Sequence, residues 1–590
     1  MAKLNFSNMK GKILSVTALL LCCASVSLGA VEYIRHSQGY YEAKLIFRLE
    51  ASVEQWTSRF QFESTVQNFT VRVPNTQIFN ASNAITYNFG SVGYFPIAVG
   101  EWAIDFSVAY QDTGSMPQLQ LASFNGRDLD TGYIAPPTTT ARPTKPPPST
   151  GEHHYDEIIA LSLEFYEAQR SGKLPPNNRI WWRGDSFLDD GQLNGLDLSG
   201  GYTDAADLVK FGFALVSTTT VLNWGLIDFL PGYNSANQTG YAEDAVKWAL
   251  DFLIKAHPTS HEFYGQVADA DVDHAWWGRP EDWDQGLRES WKITRDKPGS
   301  ELAAEGAAAF ASGYLVFRNR NSSYAQELLR HARELYSFAD EFRGDYTDAI
   351  PAEGFYDSWS GYGDELGWAA AWLYRATNES KYLQDVNRHW TEFNLSRRAD
   401  KFSWDDKKAG LQVLMGKLTR EDKYLSPATQ FCDYMKNTQQ RTPKGLVFIQ
   451  EWGSLRHSAN IAFICLNLAE LGVKSAEYRE FAKEQIHYAL GAGGRSYVVG
   501  YGENPPQRPR HRASSCPPRP SPCNRQNGLY NPGPNYYTLY GALVGGPGSQ
   551  DDYVDDRDDY VRNEVAIDYN AGFQGALAAL QKLKINGQLP

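Results

Sequence analysis

Two aspartates stand three positions apart in GGYTDAADLVKFGF, residues 200–213, a stretch whose Gly, Ala and Phe otherwise read as protein interior. Desolvating a carboxylate costs on the order of several kcal/mol. Asp204 and Asp207 therefore either cap a helix start, where free N–H groups and the helix dipole welcome negative charge, or they serve chemistry. A second acidic stretch, YVDDRDDYVRNEVAIDYNAGF, spans residues 553–573 and packs acids against rings. Within it Glu564 is followed by Val565 and Ala566 and flanked by Tyr560 and Tyr569. Apolar surroundings raise a carboxyl pKa, so Glu564 is expected to keep its proton near neutrality. A protonated carboxyl facing an ionised pair is the equipment for splitting a bond by general acid and general base. Asp555, Asp556, Asp558 and Asp559 also read as a solvated acidic turn.

Composition narrows the partners. Aromatics make up 13% of the 590 residues, with 16 Trp and 34 Tyr, against 21% charged residues, and the net charge is -13. That balance leaves rings for a binding surface and argues against nucleic acid or an anionic membrane as partner. Lys10 and Lys12 precede the apolar run ILSVTALLLCCASVSLGA, which reads as a secretory leader over 1–30, cut near Gly29 or Ala30. The mature chain is expected to be secreted, extracellular and monomeric, with sequons at Asn68, Asn80, Asn237, Asn321, Asn378 and Asn394. Of six cysteines, Cys22 and Cys23 leave with the leader, Cys516 and Cys523 could close a small loop, and Cys432 and Cys465 read as buried thiols in helices.

The elements that must position the acids follow from periodicity. Residues 31–134 alternate apolar and polar in short runs such as FTVRV and EWAIDFSVAY, the pattern of a small antiparallel β-sandwich. APPTTTARPTKPPPSTG, 135–151, is a stiff extended linker. From 152 to 590 the period becomes helical, with stripes near 154–169, 204–224, 242–253, 301–318, 323–340, 365–377, 381–393, 422–437, 455–471, 476–490 and 562–583. About a dozen helices in hairpin order, some rich in small residues and others charged on one side, predict an all-α toroid with long loops at one end.

DLSGGYTDAADLVKFGF, DADVDHAWWGRPEDW, FYDSWSGYGDELGWAAAWLYRAT, QEWGSLRHSAN, GENPPQRPRHR and DDRDDYVRNEVAIDYNAGF resemble, in this order, the motifs of glycoside hydrolase family 9, in particular the endoglucanases of invertebrate animals. The resemblance implies an (α/α)6 barrel and a cellulase that hydrolyses internal β-1,4-glucan bonds with inversion. It makes Asp207 the general base, Asp204 its companion on the attacking water, Glu564 the general acid and Asp555 a supporting acid. If Asp207 begins a helix, Asp204 one turn earlier reaches the same water. The resemblance assigns sugar contacts to His274, Tyr356, Trp359, Trp452, Arg456, Arg512 and Tyr569, with His511 displaced by one position. Ser360, Gly361, Asp364 and Glu365 are similar to a structural calcium site; no cofactor is required for the reaction.

The chain also departs from the family pattern. Ala206 and Leu208 stand beside the base where the family usually has Gly and His, Arg510 takes the place of a sugar-binding histidine, and Ala492 replaces an Asp. These departures leave a second reading, a weakly active β-glucan-binding protein on the same fold. SVEQWTSRFQFE, QIFNASNAITYNFGSV and PQLQLASFNG resemble a family 2 carbohydrate-binding module. With Trp56 and Trp102 read as core, its cellulose platform falls to residues such as Tyr41, Phe79 and Tyr94.

Overall fold

The structure is a computed structural model that describes residues 153–590 without interruption and, ahead of them, strand segments between 26 and 129 with the short pieces 66–67 and 72–73. Residues 1–25 of the expected leader, the linker 135–151, Trp56 and Tyr94, and the side chains of Tyr41, Phe79 and Trp102 lie outside the described residues. The chain divides into two compact units, Met1–Thr139 and Thr140–Pro590.

In the first unit, strands β1 (Val26–Ser37), β2 (Tyr40–Leu49), β7 (Gly100–Ala109) and β4 (Asn68–Val71) form one antiparallel sheet in that order. A second sheet runs β5 (Thr76–Ser82), β6 (Thr86–Ser91), β3 (Thr57–Phe62), β8 (Leu119–Phe124) and β9 (Arg127–Leu129). Period-two alternation sends Phe60 and Phe62 of β3 to one face. There Phe60 meets Phe106 of β7 at 5.1 Å and Phe69 of β4 at 5.8 Å between ring centroids. β1 starts at Val26, ahead of the expected leader cut, and Ala30 pairs with Ile46.

Among its described residues the second unit contains twelve helices of at least three turns. They are α1 (Tyr155–Gln169), α2 (Gly212–Ser235), α3 (Thr239–Ala256), α4 (Ser300–Phe317), α5 (Ser322–Glu341), α6 (Gly363–Thr377), α7 (Ser380–Glu392), α8 (Lys408–Thr419), α9 (Asp422–Asn437), α10 (Ser454–Ala469), α11 (Ser475–His487) and α12 (Ile567–Ile585). The even-numbered helices adjoin in a closed cycle, α2 to α4 to α6 to α8 to α10 to α12 and back to α2, and each carries an odd-numbered helix on its outside. This double ring is consistent with an (α/α)6 barrel. Burial follows the sequence pattern. Every residue of α10 is buried, whereas α5 buries one stripe and turns Arg330, Arg333 and Glu334 to solvent. Small residues let inner helices approach: a Cβ on Gly225 of α2 would lie 3.2 Å from Gly575 Cα of α12. Pro231, lacking an N–H, kinks α2, and Phe229 leaves helical geometry there.

Two expectations are corrected. The helix expected from 204 starts at Gly212, so Asp204 and Asp207 lie in a bend ahead of the short strand β10 (Lys210–Phe211). Paired glycines at positive φ, Gly200 at 92° and Gly201 at 70°, precede that bend and take the chain out of helical geometry. Cys432 and Cys465 are not free thiols. Adjacent helices α9 and α10 set their Cα atoms 5.8 Å apart, within disulfide reach, and the two are bonded; Cys516 and Cys523 form a second disulfide.

Connections differ by end. The returns from inner to outer helices are short, at 236–238, 318–321, 378–379, 420–421 and 470–474. The connections leading into inner helices are long, and α12 receives the longest, residues 488–566. Two further strands, β11 (Phe263–Val267) and β12 (Ser290–Ile293), join β10 in a small antiparallel sheet beside the loop that holds Asp204 and Asp207.

Candidate active site

A cleft of about 360 Å³ opens where the long connections converge. Every connection that enters an inner helix contributes to its lining: Asp204 and Asp207 before α2, His274 and Trp277 before α4, Phe355, Tyr356 and Trp359 before α6, Trp404 before α8, Gln450 and Trp452 before α10, and Arg510, Arg512, Tyr560 and Glu564 before α12. The inner helices thus present their N-terminal ends, the positive ends of their dipoles, toward the cleft.

The Asp204–Asp207 bend is fastened from several sides. Asp204 N donates to Val209 O at 2.9 Å, and Ile567 N at the start of α12 donates to Asp204 O at 2.9 Å. Asp207 Oδ1 accepts from Val209 N at 2.9 Å. Lys210 beyond them is pinned to buried Asp190 at 2.7 Å, and Arg288 reaches the same carboxylate at 2.9 Å. Burial raises the carboxyls of both aspartates and so works against the expected ionised pair. Asp204 is raised well above the ordinary carboxylate range, by burial and by Asp207, while Tyr356 donates its hydroxyl to Asp204 Oδ2. Asp207 is raised by burial and Asp273, but His274, Arg512 and the Val209 N–H favour its charged form. Asp207 is therefore the better base of the two.

Glu564 sits on an extended segment. Its carbonyl accepts from Gly545 N at 2.9 Å, it bridges to Arg510 in parallel, and Val565 bridges to Val544 before α12 begins at Ile567. Burial pushes its carboxyl up to about 8, and the negative charge of Asp207 adds to that, against the lowering pull of Arg510 and Arg512. The cleft thus holds Glu564, lifted to about 8, and within its electrostatic reach Asp207, which burial and Asp273 raise while His274, Arg512 and the Val209 N–H pull it down.

The walls are rings and arginines. Trp359 is 68% exposed and Trp452 46%, so both offer open faces, and Trp404 packs against Trp359 and Tyr356 at 5.6 and 4.9 Å. Tyr569 is buried and forms floor beneath Arg456, whose guanidinium lies 5.2 Å from its ring centre. Arg456 pairs with Asp568 at 3.0 Å, and Arg512 pairs with Asp273 at 2.7 Å. His274 stacks on Phe355 at 5.2 Å.

Residues 155–577 match the sequence profile described as Glycosyl hydrolase family 9. The chain belongs to glycosyl hydrolase family 9. Among its relatives, Endoglucanase A of Bacillus pumilus is 43% identical over 452 residues, covering 74% of this chain and 67% of that protein. Endoglucanase 10 of Arabidopsis thaliana is 40% identical over 474 residues, covering 74% and 89%. The solved structure of an endoglucanase from the termite Nasutitermes takasagoensis superimposes with a TM-score of 0.72 at 54% identity, covering 73% of this chain and 99% of that one.

In this family 9 hydrolase, Asp204, Asp207, His274, Tyr356, Trp359, Trp452, Arg456, Arg512, Glu564 and Tyr569 all line the one cleft. Two expected site residues do not. Asp555 accepts from Gln507 N at 2.7 Å and Arg508 N at 3.1 Å, so it fastens the loop ahead of Arg510 and is no wall residue. His511 points away from the cleft: Ser514 N donates to its Nδ1, and its Nε2 faces Gln169 Oε1 at 2.8 Å. Burial and the nearby Arg183 and Arg512 hold its pKa down to about 3, so the ring is neutral. Gln169 passes the support on by donating to Ala205 O at 2.9 Å. Of the departures, Leu208 is buried outside the cleft lining, whereas Ala206 and Arg510 belong to it.

Ser360, Gly361 and Asp364 lie together at the start of α6. Ser360 Oγ stands 3.1 Å from Asp364 Oδ1 and also donates toward Gly361 O, while Lys407 N donates to Asp364 Oδ2 at 2.6 Å. Burial and the nearby Asp406 lift Asp364 to about 7. Glu365 does not join this group; its carboxyl lies 3.8 Å from Lys407 Nζ, which is equally close to Glu305.

Sequence reasoning missed Asp568, Asp273, Trp277 and Trp404. Asp568 had a signal, since it follows Glu564 by four residues in the first turn of α12, but a first-turn acid ordinarily serves the helix dipole. Trp404 had none, because nothing in FSWDDKK marks a wall.

Proposed function

We propose that this glycoside hydrolase is a secreted endo-β-1,4-glucanase that cuts internal bonds of cellulose and related β-1,4-glucans with inversion. The observation that carries the reading is that Glu564, lifted to about 8 by burial, and Asp207, whose rise through burial and Asp273 is opposed by His274, Arg512 and the Val209 N–H, line one open cleft walled by rings. Sugar rings stack their apolar faces on Trp359 and Trp452, and Arg456 and Arg512 donate to hydroxyls. Glu564 gives its proton to the glycosidic oxygen as that bond breaks. Asp207 takes a proton from water as the water attacks the anomeric carbon from the opposite face, and Asp204 with Tyr356 holds the water in line. The endoglucanase relatives support the substrate class. A cellulase of C. cellulolyticum, 34% identical with a TM-score of 0.69 over 74% of this chain and all of that one, was solved with cellobiose.

The two disulfides support an oxidising, extracellular setting. The β-rich first unit, read as a carbohydrate-binding sandwich, anchors the enzyme on insoluble cellulose and raises the effective substrate concentration for the monomer. Ser360, Gly361 and Asp364 supply a hydroxyl, a carbonyl and a carboxylate for a structural calcium ion, whose charge would relieve the neighbouring acids Asp364 and Asp406. Reducing ends released from carboxymethylcellulose, with the α-anomer formed first by proton NMR, test the reading. No release by a folded chain would refute it, and a β-anomer would refute inversion.

A further inference from the structure

The three arginines of the cleft wall are not equivalent. Arg456 and Arg512 are each committed to a buried carboxylate, Asp568 and Asp273. Arg510 is held differently. Its guanidinium packs against two rings, 5.3 Å from the centre of Trp277, which it shares with Arg512, and 5.8 Å from that of Tyr560. Nη1 donates to the carbonyls of Arg557 and Asp558 at 3.3 and 3.4 Å. The carboxylate nearest to it, Asp558 at 3.6 Å, is 60% exposed, so water screens that pair. Rings and carbonyls fix the position of the cation without cancelling its charge.

The backbone decides where that charge acts. Arg510 N donates to Asn563 O at 2.8 Å, and Arg510 bridges Glu564 in parallel. Residues paired across such a bridge project to the same face, and both side chains line the cleft. We propose that Arg510 is a charge-setting residue for Glu564: a ring-clamped cation that fixes the upper pH at which the acid still carries its proton and steadies the carboxylate left once the proton has moved to the glycosidic oxygen. Arg510 acts through Glu564 and is a positioning residue, not the acid itself. The inference rests on the glucanase reading for its purpose, though not for its test.

Other groups face Glu564 as well. Asp204 and Asp207 from the bend and Asp568 from α12 oppose its ionisation, the Tyr569 hydroxyl stands beside it, and Arg512 favours ionisation but is shared with Asp273. Against that surplus of negative charge, Arg510 keeps the acid from becoming too weak to give up its proton.

The experiment replaces Arg510 in the full chain by Gln, and separately by Lys. The Glu564 carboxyl is titrated by 13C NMR, its resonance assigned by its loss in Glu564→Gln, and kcat/KM on soluble cello-oligosaccharide is followed against pH. In Arg510→Gln the Glu564 midpoint should rise by about one pH unit, the lower end of what an adjacent opposite charge does, and the alkaline limb of kcat/KM should move with it. Arg510→Lys should stay with the parent. An unshifted midpoint in an Arg510→Gln protein with parental thermal unfolding overturns the proposal; should Gln not fold, Arg510→Met keeps the ring packing and is read in the same way. A shifted midpoint without hydrolysis upholds this inference while defeating the glucanase reading, and hydrolysis with an unshifted midpoint does the reverse.

Discussion

The bend carrying Asp204 and Asp207 and the extended segment carrying Glu564 are buried alike, yet the proposed mechanism gives them opposite tasks. Burial and Asp273 raise the Asp207 carboxyl, but His274, Arg512 and the Val209 N–H pull it back toward its anion. Around Glu564 burial dominates and the closest carboxylate influence is Asp207, which disfavours a second anion. Burial alone therefore does not separate acid from base. The separation comes from which neighbours each loop brings, and the mutual repulsion of the two carboxyls widens it.

The most damaging way to test that contrast is to neutralise each side in turn. Glu564→Gln and Asp207→Asn should each lower kcat on carboxymethylcellulose by roughly a thousandfold, within the range for positioned acids and bases. Binding of cello-oligosaccharide, followed by tryptophan fluorescence, should persist. If either variant keeps more than a tenth of parental turnover, the division of labour is wrong. Next in size is Tyr356→Phe, which takes away the hydroxyl donor to Asp204. A kcat loss of about tenfold is expected, the size of one side-chain hydrogen bond, with KM little altered.

The contrast also shows in stability. Glu564 is raised from 4.5 to about 8 in the fold, so its contribution is fully present below pH 4.5 and is lost as pH rises toward 8. Glu564→Gln, which cannot ionise, should gain in Tm relative to the parent across that window, and calorimetry at pH 5 and pH 8 reads the difference. A constant Tm offset would mean that Glu564 titrates normally. The smallest effect belongs to the walls. Trp452→Ala, at an open ring face, should raise KM several-fold through the loss of about 1 kcal/mol of stacking, with kcat nearly intact.

Much of this arrangement can be read from the chain, but unevenly. The stripe of Ala242, Val246, Ala249 and Leu253 announced α3, because an outer helix has a wet face and a dry one. α2 was placed eight residues early, since Ala205, Ala206, Leu208 and Val209 carry helix-like apolar spacing while buried in a bend. Spacing cannot reveal that difference when every position is dry. The short sheet β10–β12 was invisible for the same reason: β10 is two residues long and takes its register from β11. Glu564 stood out because its neighbours in sequence are also its neighbours in space. The partners of His511, Gln169 and Ser514, are separated from it by very different spans, and no local pattern distinguishes a histidine facing the cleft from one facing away. The Cys432–Cys465 bond likewise required knowing which outer helix lies against which inner one.

The hydrogen bond from Ile567 N–H to Asp204 C=O is one of several that tie an early part of the hydrolase unit to its last helix. During synthesis Asp207, the proposed base, emerges from the ribosome more than three hundred and fifty residues before Glu564, the proposed acid. Until α12 slots between α2 and α10, no nascent or truncated chain owns both halves of the reaction. On the proposed mechanism turnover thereby becomes a certificate of complete assembly, because a chain ending ahead of residue 564 lacks both the proposed proton donor and the helix that closes the inner ring.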